Sequence, residues 1–399
     1  MILEWETPDL PSGTAAGLRR HTHRGSDGIP ESALFEDNGA KRAPSLFFTL
    51  LLGGRRRGSG PFLYAAVSDV QGRSDNSAIQ HTIAVGIDVG GTNIRMALVN
   101  AAGAIRGIIK QPTRADRAME QIIGDIAQGV GTLVSTHRRS GEQVCGIGLG
   151  MPGFLSLQTG VIHSSPNLPT ARETPASSFL QELTGLPVFL ENDANAAAIG
   201  EHWAGAGRGV RNLLCVTLGT GVGSGFILNH RIWHGSNDLA GELGHTVLVP
   251  DGLPCKCGRK GCLEAYISAT GIVTRTESAL QQGRNSSLVA FRTSDNPLSS
   301  QTVYEHAEMG DMLAREIFAE TGRYLGIALA NVLNMLDLEM IIIGGRVANV
   351  GELLLRPAID EVNKTALRAA YYPISILQAR LGDHAGVIGA AKTVFDRKG

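Results

Sequence analysis

The chain has almost no net charge, few aromatics and no long apolar run. Its 399 residues carry a formal charge of −1. That balance offers no basic field to a nucleic acid or an anionic membrane. Aromatic residues make up 5%, which argues against a platform for stacking single-stranded bases. The apolar stretch Leu46–Leu52 is interrupted by Thr49 and falls far short of the roughly 20 residues of a membrane span. It is also too short and too far from Met1 to read as a signal peptide. Cysteine is scarce and uneven. Cys255, Cys257 and Cys262 crowd into eight positions, while Cys145 and Cys215 stand alone in apolar runs. A dispersed disulfide framework is excluded, and the pattern fits a reducing cytoplasm with one metal site.

What is present is apolar residue and glycine. Hydrophobic residues reach 43% in a chain too long for one compact core, so two domains are expected. The 51 glycines imply many tight turns and close backbone approaches. Residues 1–80 differ from the rest. They are rich in Gly, Ser, Pro and Arg, include Arg55-Arg56-Arg57, and show no sustained period. They read as a disordered extension without a helix-turn-helix pattern. The next Met after Met1 is Met96, already inside the patterned region, so a different start site is an alternative explanation of this segment.

Pattern begins at Thr82. Strands are expected at 82–88, 95–99 and 104–109, a helix over 116–137, and a buried strand at 144–149. A helix over 174–184, a strand at 187–190 and an Ala-rich helix over 194–204 follow. Strands at 213–218 and 224–228, a helical stretch at 302–336, a strand at 340–343 and a terminal helix at 386–395 complete an α/β protein with buried strands.

Four motifs carry chemistry. Asp88-Val-Gly90-Gly91-Thr92-Asn93-Ile-Arg95 follows a strand. Its glycines allow backbone to approach phosphate oxygens, Asp88 is placed to hold Mg²⁺ through water, and Thr92 and Arg95 to contact phosphates. It is neither a Walker loop nor a dinucleotide fingerprint, because a hairpin follows it. Gly219-Thr220-Gly221-Val-Gly223 repeats strand, glycine turn, strand. Two such turns suggest duplicated halves clamping a nucleotide. In Glu191-Asn192-Asp193-Ala-Asn195, Asp193 is the candidate to accept a hydroxyl proton, and Asn192 to hydrogen-bond a sugar; helix capping is the plainer alternative. His245 with Cys255, Cys257 and Cys262 makes a Cys₃His set for structural Zn²⁺. Glu242 and Glu264 flank it and supply acceptors for sugar hydroxyls.

Together these motifs resemble the ROK family (repressors, open reading frames and sugar kinases). DxGGTxxR at 88–95, ENDANAAAxGE at 191–201, LGTGVGxG at 218–225, GELGH at 241–245, CxCGxxGCxE at 255–264 and Gly344-Gly345 occur in the family order across roughly 82–397. Ser268-Ala-Thr-Gly-Ile-Val273 and Gly382-Asp-His-Ala-Gly-Val-Ile-Gly-Ala390 look most like the ROK-type glucokinases. The resemblance implies an actin-like, ribonuclease H-like ATPase fold. Two α/β domains would enclose a cleft: 81–190 with a terminal helix at about 384–399, and 191–383 with the zinc loop. It implies ATP with Mg²⁺ as donor, glucose phosphorylated at its 6-hydroxyl, a homodimer, and no nucleic-acid or membrane partner. Asp193 would be the base. Asn192, Glu242, His245 and Glu264 would contact sugar, with Gly153 and Asn167 lining that pocket and Gly344-Gly345 near the nucleotide. N-acetylglucosamine, N-acetylmannosamine, allose or fructose are alternative acceptors, polyphosphate an alternative donor, and a sugar-responsive transcription regulator the alternative class. Two departures are visible: Ser224 stands where a further Gly is usual, and Arg346 where a third Gly often follows.

Overall fold

Side chains alternate along a strand, and in Thr82–Val89 that alternation separates large from small. Ile83, Val85 and Ile87 enter one core with Met119, Ile122 and Ile126, while Ala84 faces the opposite core with Val387, Ala391 and Val394. The first face takes a bulky helix and the second admits a helix lying close on the backbone. A computed structural model describes residues 81–293 and 296–398. The reading of residues 1–80 therefore lies outside the described residues.

The first sheet is built from β1 (Thr82–Val89), β2 (Asn93–Asn100), β3 (Ile105–Pro112), β4 (Gln143–Met151) and later β8. Helix α1 (Met119–His137) covers it. A small sheet of β5 (Phe154–Ser156), β6 (Val161–Ser164) and β7 (Arg172–Thr174) leads to α2 (Ala176–Thr184), β8 (Val188–Asn192) and α3 (Asp193–Ala204). The strand order is β3-β2-β1-β4-β8, antiparallel at the hairpins and parallel across β1-β4-β8.

The second sheet repeats that plan. It contains β9 (Leu213–Leu218), β10 (Val222–Leu228), β11 (Arg231–Ile232), β14 (Met340–Gly344) and β15 (Ser375–Gln378) in the order β11-β10-β9-β14-β15. The β9–β10–β11 pairs are antiparallel and β14 runs parallel to β9 and β15. Between them lie α4 (Glu264–Ile267), α5 (Ala269–Gln281), the short pair β12 (Arg292–Thr293) and β13 (Asn296–Pro297), α6 (Ser300–Glu308), α7 (Met312–Leu336) and α8 (Glu352–Thr365). The helical stretch expected over 302–336 is thus two helices. Gly310 at φ +98° breaks it, and Asp311 restarts it by accepting the Ala314 N–H at 3.0 Å.

The terminal helix α9 (Ala385–Lys398) returns to the first sheet and also packs along α3, which rests on the second sheet. The approach is backbone to backbone. A Cβ on Gly86 would lie 1.8 Å from the Val387 carbonyl oxygen, and one on Gly389 would lie 1.6 Å from that of Ala196. Glycine is required at both places. No described helix is long and apolar enough to cross a membrane.

Candidate active site

β8 runs into α3 without a loop. Asn192 is extended, and its side-chain oxygen accepts the N–H groups of Ala194 at 2.9 Å and Asn195 at 3.1 Å. Asn192 therefore caps the helix. Asp193, the first helical residue, accepts from Ala194 N–H at 2.9 Å and lines a cavity of about 190 Å³ with Asp88, Arg95, Gly345 and Asp383. Burial, then the neighbouring Asp88, pushes the Asp193 carboxyl up to about 7. Burial likewise raises Asp88 against the pull of Arg95. Arg95 reaches Asp88 at 3.6 Å and Asp383 at 2.7 Å. Half-buried carboxylates that repel one another fit a hard cation such as Mg²⁺, which oxygen ligands and water would hold.

Both glycine turns consume some of their own donors. Gly90 N–H binds the Asn93 carbonyl at 2.9 Å, and Gly219 N–H binds that of Gly221 at 2.9 Å. These two amides shape their turns. Thr113 braces the first turn by donating its hydroxyl to the Gly90 carbonyl at 2.6 Å. Gly91 abuts Asn167, whose Cβ would lie 3.4 Å from an added Cβ, so Asn167 sits on the first turn. Gly223 abuts the start of α3, where an added Cβ would stand 2.8 Å from that of Ala194. Thr220 accepts the Thr270 hydroxyl at 3.2 Å through its carbonyl.

A second cavity of about 470 Å³ continues from the first, sharing Gly344, Gly345 and Asp383 and adding Gln301, Tyr304 and Asn349. Gly345 has φ +86°, and its added Cβ would lie 2.3 Å from the Leu218 carbonyl oxygen, so only glycine fits. Arg346 lines this cavity too. Sequence reasoning missed Gln301, Tyr304, Asn349 and Asp383. Three of them lie on helical segments that read as ordinary surface. Asp383 left one trace, an acid directly after a glycine before the terminal helix; Gly382 has φ +53°.

The ligand atoms of His245, Cys255, Cys257 and Cys262 all lie within 4.8 Å of one another. Cys255 Sγ stands 3.8 Å from His245 Nδ1, and Cys257 Sγ stands 3.6 Å from Cys262 Sγ. Ligand atoms around a tetrahedral zinc are about 3.3–3.8 Å apart given its usual bond lengths, so the residues present fit the ion. Burial pushes the Cys255 thiol up to about 12, so a bound cation is what would make it a thiolate.

The acids beside this set are anchored. Glu264 accepts the Val222 N–H at 2.9 Å and contacts Cys255 Sγ at 3.6 Å, joining the second turn to the cysteine loop. Glu242 lies 4.0 Å from His245 Nε2; burial raises its carboxyl, with Glu264 adding to the rise. Glu242 also contributes to the raised Asp193, which places it in electrostatic reach of the cleft. Gly153 has φ +120°, and its added Cβ would lie 2.3 Å from the Ser164 carbonyl oxygen, so it packs into the β5–β6 corner. No cavity described above contains both Asp193 and Glu264. Ser224, the departure from the family pattern, donates its hydroxyl to the Gly241 carbonyl and accepts Leu243 N–H at 3.3 Å. It ties β10 to the loop that carries Glu242 and His245.

The ROK family model matches residues 84–397. The chain belongs to the ROK family. It is 40% identical over 306 residues to a glucokinase of Halalkalibacterium halodurans, covering 76% of this chain and 92% of that protein. It also resembles a ROK glucokinase from Streptomyces griseus solved with glucose and AMPPNP, at 33% identity and a TM-score of 0.68, over 79% of this chain and 100% of the other. A xylose repressor of Caldicellulosiruptor bescii is 28% identical, over 78% of this chain and 77% of the repressor. The paired sheets with matching strand orders are the actin-like arrangement that the resemblance implied.

Proposed function

We propose that this chain transfers the γ-phosphoryl group of ATP to the 6-hydroxyl of glucose. The observation that carries the reading is Asp193: a half-buried carboxyl raised to about 7, at the end of a cavity that shares its wall with a larger one beside Gly344-Gly345. A base poised near working pH takes a hydroxyl proton as the oxygen attacks phosphorus. Arg95 holds phosphate charge, and the larger cavity takes the nucleoside. Asp88 would hold Mg²⁺ through water; the ion, when bound, neutralises phosphate charge.

Glu242, Glu264, His245, Asn192, Gly153 and Asn167 form the sugar side in this reading, held by the cysteine loop. Zn²⁺ would be a brace, since protein fills all four positions. The names of the glucokinase relatives favour glucose; an N-acetylated hexosamine or another hexose is the runner-up. The domains would be 81–190 with the terminal helix from about 384, and 191–383. A homodimer in the cytoplasm completes the proposal. The regulator reading is weaker because both glycine turns keep their residues.

A coupled ADP-release assay across glucose, N-acetylglucosamine, N-acetylmannosamine, allose and fructose tests it, and sugar-phosphate formation is followed directly with polyphosphate as a second donor. Glucose with Mg-ATP is expected to give the highest kcat/KM. Sugar-independent ADP release, or none with any sugar, would overturn the reading.

A further inference from the structure

A cavity larger than either of those above lies away from the cleft. It has a volume of about 710 Å³ and shares no lining residue with the cavity that holds Asp88 and Asp193. That volume suits a small metabolite. Its walls come from both sheets: Phe189, Leu190 and Glu191 from β8, and Ile227, Arg231 and Ile232 from β10 and β11. Helices α3 and α9 close it, with α3 presenting Asp193 to the cleft and His202 and Trp203 to this cavity.

Its charge is opposite to that of the cleft. The cleft gathers Asp88, Asp193 and Asp383 around one arginine. Here Arg208, Arg231, Lys392 and Arg397 face two acids, Glu191 and Asp396. Both acids are engaged. Glu191 binds His234 at 2.9 Å, and Asp396 pairs with Lys392. Arg208, Arg231 and Arg397 have no ion pair among the described residues. The rings of His202 and His230 lie with centroids 5.8 Å apart, tilted by 42°. Burial, and the repulsion of His230 and Lys392, hold the His202 imidazole low. Lys392 lies over the Trp203 ring at 5.6 Å, so an apolar platform adjoins the cations.

We propose that this cavity binds a small phosphorylated molecule: its phosphate against Arg208, Arg231 and Arg397, its body on the Trp203 side. Guanidinium groups match phosphate oxygens in pairs, and these three exposed arginines line one hollow with no ion pair to give up on binding. The site is independent of the kinase reading, since none of its residues enters the proposed reaction.

The test is titration calorimetry of inorganic pyrophosphate into the full chain with glucose present. Saturable binding at one site is expected, with Kd below about 1 mM at about 0.15 M salt. Arg231→Glu with Arg397→Glu should weaken it at least about tenfold, whereas Arg95→Ala should leave it unchanged. Arg231→Gln alone, a milder change at an exposed side chain, should weaken it by a smaller factor. Absence of saturable heat overturns the proposal. So does binding that Arg95→Ala removes and the Arg231/Arg397 changes spare, because the anion would then sit in the cleft.

Discussion

The two sheets share one strand order and differ in what their glycine turns carry. The turn after β1 brings charge: Asp88 just before it and Arg95 just after. The turn after β9 brings none of its own. It borrows a carboxylate from Glu264, which accepts Val222 N–H, and it is linked through Ser224 to the loop of Glu242 and His245. One backbone plan thus serves two purposes. In the proposed reading the first half would present ionic groups to phosphates, and the second would position acceptors for a neutral, hydroxyl-rich molecule. Asp193 sits where the two meet, at the junction of the last strand of the first sheet and a helix packed on the second.

The comparison breaks most severely at that junction. Asp193→Asn should lower kcat by about 10²–10⁴-fold in steady-state assays, the usual worth of a general base. The same change should stabilise the chain. The folded carboxyl has its pKa above the unfolded value of 3.8, so the cost of ionising it is absent below about pH 4 and complete above about pH 7. The full shift corresponds to about 4 kcal/mol, and a partial opening to the cleft reduces that to about 2. Urea unfolding at pH 8 and pH 4 should show the variant gaining stability only at the higher pH. In the unaltered chain, kcat/KM should rise with pH through an inflection near 7.

Next in size is loss of the metal. Cys257→Ser should leave less than one zinc per chain by mass spectrometry and raise the sugar KM by about tenfold or more, while the ATP KM moves little. Full activity in a demetallated chain would separate the sugar shelf from the cysteine loop.

Two smaller changes sharpen the division between the halves. Arg95→Ala should raise the KM for ATP by about tenfold and leave the sugar KM within about twofold. Ser224→Gly should do the reverse more weakly, raising the sugar KM about threefold to tenfold, the worth of one or two buried hydrogen bonds. If both substitutions moved both constants equally, the two halves would not divide the work.

Much of this was legible in the sequence because it rests on local chemistry. The buried strands, both glycine turns and the Cys₃His spacing are each written within a few residues. Asn192 as cap and Asp193 as free carboxylate were less legible, since Asn and Asp compete for the same position and only geometry separates them. Gly90 and Gly219 read as phosphate donors, yet their N–H groups close their own turns. Gln301, Tyr304 and Asn349 were invisible, and Asp383 nearly so, because tertiary packing, not spacing, gathers them. Arg208, Arg231 and Arg397 carry no local signal, and only the fold sets them around one hollow.

The most direct test is the identity of the product. Phosphorus NMR of the zinc-loaded chain with Mg-ATP and glucose should show glucose 6-phosphate and ADP forming in equal amounts. Unchanged ATP, or ADP with free phosphate at the same rate whether or not sugar is present, would contradict transfer to a sugar at Asp193.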